Sequence, residues 1–169
     1  RTFSMYITED PASEANTILR KTLLKASQEN PSVFYNQLLS WLFIQQREFN
    51  KAFVQEKAIF KRSEGDPTRL FDLAYIAKDA EKYEEARDVV SFIIDNSVGE
   101  RTILQAKQLD LQLDLATVTE KEYDTVEAKF QELFATYGNG PETHLLQIDY
   151  NHFLAFQTGQ IEKAVANLK

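Results

Sequence analysis

Two short stretches thirty-four residues apart constrain this chain more than any other feature. Residues 47–55 read REFNKAFVQ and residues 81–89 read EKYEEARDV. Each sets an aromatic, two polar residues and an alanine just ahead of an apolar helical run. Phe49 and Ala52 therefore recur as Tyr83 and Ala86, and upstream Leu39 and Ser40 recur as Leu73 and Ala74. Self-similarity at a few tens of residues marks stacked supersecondary units, each burying its apolar face against its neighbours. The aromatic fills the space beside a turn, and the small residue beyond it lets two helices cross closely. A larger side chain there would push the helices apart, at about 1–3 kcal/mol.

Helical periodicity runs through nearly the whole chain and breaks where prolines and glycines fall. Pro11, Pro31, Pro67 and Pro141 each follow Asp, Asn or Gly. Each suits a first helical turn, where the missing amide hydrogen has no partner to lose. The predicted helices are 12–29, 32–46, 48–63, 67–79, 82–96, 100–117, 120–137, 141–157 and 160–169. No alternating apolar run is bounded by hairpin turns, so strands are not expected. The fold class is all-α, with about nine helices joined by short loops into antiparallel hairpins. Helix 32–46 is apolar almost all round and must be covered on more than one side. Helix 82–96 is amphipathic, with Tyr83, Ala86, Val89, Val90 and Ile93 on its apolar face.

At 169 residues the length predicts one domain. A net charge of −7 repels phosphate backbones, so nucleic acid and anionic membranes are not expected partners. The local basic group Arg47, Lys51, Lys57, Lys61 and Arg62 is spread around a helix that also carries Glu48 and Glu56, and reads as a solvated face. Leu38–Ile44, the longest strongly apolar stretch, is too short to span a bilayer, so no membrane insertion is expected. The N-terminal RTFSMYITEDP has no signal-peptide pattern and no initiating Met, which predicts a processed or excised end.

The absence of cysteine removes disulfides, thiolate metal sites and thiol nucleophiles. GNGP at 138–141 is a turn, and the other glycines are scattered, so there is no phosphate loop. His144 and His152 would sit roughly 12 Å apart along one helix, too far to share a metal. Asp149 and His152 fit a helix-surface pair. No catalytic residue, metal or cofactor is expected.

Taken together, the aromatic-x-x-Ala opening of the second helix, the small residue in the first (Ser40, Ala74) and Pro67 at the unit boundary resemble the tetratricopeptide repeat family. The resemblance is fullest between Val33 and Asn96. It implies units at 11–30 (partial), 32–63, 67–96, 100–137 and 141–169, and a right-handed α-solenoid. There are departures. Asn36 and Leu70 stand where the family often has Trp, and Glu56 stands where it has an aromatic.

In such arrays the first helix of each unit lines a concave groove that holds a protein or peptide partner. The resemblance therefore places Phe34, Gln37, Trp41 and Gln45, then Phe71, Tyr75 and Lys78, then Phe153 and Phe156, on a partner-binding groove. Members that clamp carboxylate tails use Lys and Asn where this chain has Gln37, Trp41, Phe71 and Tyr75. An amphipathic helix or extended apolar segment fits better. The same rings also fit helix-on-helix packing, and both readings stand at this level.

The implied function is a non-catalytic interaction scaffold. Its alternative is a structural spacer or an accessory domain of a larger protein. Ile161, Ala164, Val165 and Leu168 would form an apolar solenoid end, predicting further repeats or a homodimer through it.

Overall fold

The computed structural model describes residues 12–167. Among them are nine α-helices and no strand: α1 (Glu14–Glu29), α2 (Val33–Gln45), α3 (Phe49–Arg62), α4 (Thr68–Asp79), α5 (Tyr83–Asn96), α6 (Glu100–Thr117), α7 (Tyr123–Tyr137), α8 (His144–His152) and α9 (Ile161–Asn167). Pro11, the N-terminal segment before it and Leu168 lie outside the described residues.

The helix starts follow local chemistry. The hydroxyls of Ser13 and Ser32 accept the backbone N–H groups of Asn16 and Tyr35 at 3.3 and 3.5 Å, occupying donors that the first turn leaves open. Before α4 the Asp66 carboxylate takes the N–H of Thr68 at 3.0 Å. Pro141 opens a single 3-10 turn, Pro141–Thr143, that leads into α8.

The repeat is visible in the backbone itself. At the end of α2, the carbonyl of Phe43 accepts the Glu48 N–H at 2.9 Å and that of Ile44 accepts the Arg47 N–H at 3.0 Å. At the end of α4, the carbonyl of Ala77 accepts Lys82 at 2.8 Å and that of Lys78 accepts Glu81 at 2.9 Å. Every one of those positions is displaced by thirty-four. Arg47 and Glu81 sit at the left-handed position of the turn, with φ of 55° and 60°. Helices are commonly ended by a residue in this conformation, usually glycine. Ala52 and Ala86 are both fully buried, as close crossing of the two helices requires. Within this region α2 packs on α3, α4 on α5, and α3 touches both α4 and α5.

Contacts group the described residues into two compact units, one up to Ser97 and one from Val98 onward. The first holds α1–α5 and the second α6–α9.

The second unit is built on a cluster of rings. Phe130 of α7 lies 5.0 Å from Tyr150 and 5.8 Å from Phe153, centroid to centroid, and Tyr123 stands edge-on to Phe153 at 5.6 Å. Leu111, Val126, Leu146 and Leu154 close the cluster. Here the boundaries depart from a straight helix over 141–157. After His152 the backbone widens into a π turn, Phe153–Gln157, where the Thr158 N–H reaches back to Phe153 at 3.1 Å. The wider turn lets Phe153 and Leu154, adjacent in sequence, both be buried.

At the rim of this core, Lys163 donates to Glu127 at 2.5 Å and the Tyr150 hydroxyl donates to the same oxygen at 2.9 Å. The Lys163 bond, with Tyr150 adding to it against some burial, holds the Glu127 carboxyl below its ordinary value of 4.5. A carboxylate with a depressed folded value contributes stability above its unfolded value, and loses it as pH falls through the folded one. Glu127→Gln should therefore flatten the acid limb of the stability curve below about pH 4.5 while changing little near neutrality. Thermal melts from neutral pH downward check this. An unchanged acid limb would mean that the Lys163–Glu127 contact contributes nothing.

Candidate partner-binding groove

Helix α2, VFYNQLLSWLFIQ, carries no charged residue in a chain of which 27% is charged. Leu39, Ser40, Leu42 and Phe43 are buried, and Asn36 nearly so. Phe34, Gln37, Trp41 and Gln45 remain exposed along one stripe. Phe34 keeps 60% of its surface accessible and Trp41 38%. A solvent-reachable helix face with two large rings and no charge is unusual. Depletion of charge combined with aromatic enrichment is the composition of an interface centre.

Facing it is α4. Leu70, Phe71, Leu73, Ala74 and Ala77 are buried, leaving Tyr75 at 38% and Ile76 at 42% exposed. The Lys78 ammonium lies 5.9 Å from the Tyr75 ring centroid. Between the two helices runs a groove of about 310 Å³. Gln37, Trp41 and Ile44 line it from α2, Arg69, Asp72 and Ile76 from α4, and Glu56 of α3 lies at its edge.

Glu56 is the unexpected member. Sequence reasoning put it on a solvated basic face, yet only 2% of it is accessible. Arg69 grips it in bidentate fashion, Nε to Oε2 at 2.8 Å and Nη2 to Oε1 at 2.6 Å. The Ser40 hydroxyl also donates to Oε1. The hydrogen bond to Glu56 holds the Arg69 guanidinium above its usual value, against a smaller opposing effect of burial. Alongside, Asn36 donates to Gln55 at 2.8 Å and accepts from Arg62. Thirty-four residues later the counterparts of Asn36, Ser40, Gln55 and Glu56 are Leu70, Ala74, Val89 and Val90, all buried. One hairpin thus holds a polar network where the next holds hydrocarbon.

The expected groove residues separate clearly. Phe34, Gln37, Trp41 and Gln45 share the α2 face, Tyr75 stands across from it, and Lys78 is half-buried beside Tyr75. Phe71 is corrected: it is 93% enclosed in the α4 core and offers little to a partner. Phe153 is corrected as well, because the buried stripe of α8 is Leu146, Tyr150, Phe153 and Leu154. Phe156 is 78% exposed, but it lies in the second unit on the outward stripe with Leu145 and Ile148, stacked on His152 at 4.7 Å. Of the expected solenoid-end residues, Ile161 and Val165 are exposed, whereas Ala164 is buried in the second core.

Sequence reasoning missed Ile76, Arg69 and Asp72. Ile76 is opposite in exposure to its repeat partner Leu42, which is fully buried, so the repeat itself pointed the wrong way. For Glu56 the signal existed: a carboxylate at the position that Val90 occupies in the next unit.

Among the described residues no group of three His, Cys, Asp or Glu side chains could hold a metal, and no helix is long and apolar enough to cross a membrane. Compared with protein-family models, curated proteins and solved structures, the chain finds no match in any of the three.

Proposed function

We propose that this chain is a tetratricopeptide-like helical repeat protein, a right-handed stack of antiparallel hairpins that acts as a non-catalytic scaffold for protein interaction. The observation that carries the reading is the uncharged, ring-bearing face of α2 opposite Tyr75 and Ile76 across an open groove. The duplicated hairpin turn and the two buried alanines support the repeat assignment. The ligand is an apolar segment of another protein, an amphipathic helix or an extended strip. The groove's fixed charges are already engaged: Arg69 is spent on Glu56, and Lys78 lies near the Tyr75 ring. An acidic chain with this face has no use for nucleic acid.

The test is affinity capture with the chain as bait, repeated with Trp41→Ala and Tyr75→Ala. Both rings are partly exposed, so circular dichroism should show native helicity in each variant. Trp and Tyr anchors in such interfaces contribute about 2 kcal/mol or more, roughly a thirtyfold loss of affinity. Captured partners should therefore drop out of both variants while Phe156→Ala retains them. Folded variants that capture everything the parent does would overturn the groove assignment.

A further inference from the structure

The second unit contains a cavity of quite different chemistry. Its volume is about 380 Å³, within the roughly 300–1,000 Å³ typical of small-molecule sites. Five side-chain amides line it: Gln131 from α7, Asn139 from the following loop, Gln147 and Asn151 from α8, and Asn167 from α9.

Most of these amides are fixed by one end. Gln131 Nε2 donates to the Tyr150 hydroxyl at 2.9 Å, and Asn167 Nδ2 donates to Asn151 Oδ1 at 3.0 Å. Gln147 Nε2 reaches the Thr143 hydroxyl at 3.4 Å. In each case the other end of the amide is left for a ligand. Asn151 is the clearest instance. It is only 8% exposed, its oxygen is occupied by Asn167, and its amide nitrogen has no partner among the described residues.

The ionic groups at the cavity are already matched. Lys163 is bonded to Glu127, which Tyr150 also holds, so no free charge faces an incoming ion. The lining is therefore a set of neutral donors and acceptors beside a half-buried ring, Phe134. An amide offers donor and acceptor side by side. A pair of neighbouring hydroxyls does the same, and the apolar face of a pyranose can lie on an aromatic ring. The amides converge from three helices and a loop, enclosing a compact ligand rather than tracking an extended backbone.

We propose that the α7–α8–α9 cavity binds a neutral saccharide, its hydroxyls held by Gln131, Gln147 and Asn151 and its hydrophobic face by Phe134. This site is separate from the α2–α4 groove and does not depend on it.

The experiment is saturation-transfer and protein-observed NMR on the whole chain with maltose, lactose and N,N′-diacetylchitobiose as probes, and a capped glycine-serine peptide as comparator. At least one saccharide should receive saturation and shift the side-chain amide signals of Asn151 and Gln147, and the peptide should do neither. Gln147→Ala and Asn139→Ala, at positions outside the core, should fold normally and weaken that binding about tenfold each, the equivalent of one or two hydrogen bonds. Binding unchanged in both variants overturns the proposal. So does silence from all three saccharides, or amide shifts caused by the peptide alone.

Discussion

Replacing Phe130 with alanine should destabilise the second unit by about 3–5 kcal/mol, the range for deleting a large buried ring. Phe130 is fully enclosed, and it is the ring on which Tyr150 and Phe153 converge. The cost depends on how far the surroundings collapse into the space. Here collapse is resisted. Phe153 is held by the π turn, and Tyr150 is tied by its hydroxyl to Glu127 and Gln131. Neither ring can move far without giving up hydrogen bonds, so the hole should stay largely open. Urea unfolding followed by ellipticity measures the loss. A cost under about 1 kcal/mol would mean that the ring cluster is not packed as described.

Arg69→Met should cost a similar amount, about 3 kcal/mol or more, although Arg69 itself is partly exposed. The penalty arises at Glu56. Without its bidentate partner, that carboxylate remains 98% enclosed with only the Ser40 hydroxyl to stabilise it. Breaking one side of a buried ion pair is far worse than removing both, since the remaining charge has neither water nor a counter-ion. The same change made together with Glu56→Val and Ser40→Ala should therefore recover most of the loss. Those two substitutions copy Val90 and Ala74, which the next hairpin buries without difficulty. Trp41 is the only tryptophan and lines the same groove, so its fluorescence reports this unit. If the single and triple variants unfold at the same urea concentration, the pair is not the element that joins α3 to α4.

Several features were legible from pattern alone. Proline placement and the thirty-four-residue echo located the helices to within a few residues, because both act through the backbone of one or two turns. The buried alanines followed for the same reason. Side-chain direction was harder to read. At α4, periodicity could not separate Phe71 from Tyr75, since a helix covered on two sides has no single apolar face and both rings fit its pattern. At α8, one extra residue in the π turn rotated everything after it, and a face drawn through Leu146, Asp149, Phe153 and Phe156 combined buried and exposed positions.

The amino-acid order by itself determined that this chain is helical, where its helices begin and which hairpin is repeated. These outcomes depend on hydrogen bonds and dihedral preferences within a few residues of each other. Only the tertiary structure decided which rings stay in solvent, that Glu56 is enclosed and matched by Arg69, and that five amides from separate helices meet around one cavity. Those outcomes depend on distances between residues far apart in sequence, and a one-residue change of helical phase is enough to reverse them.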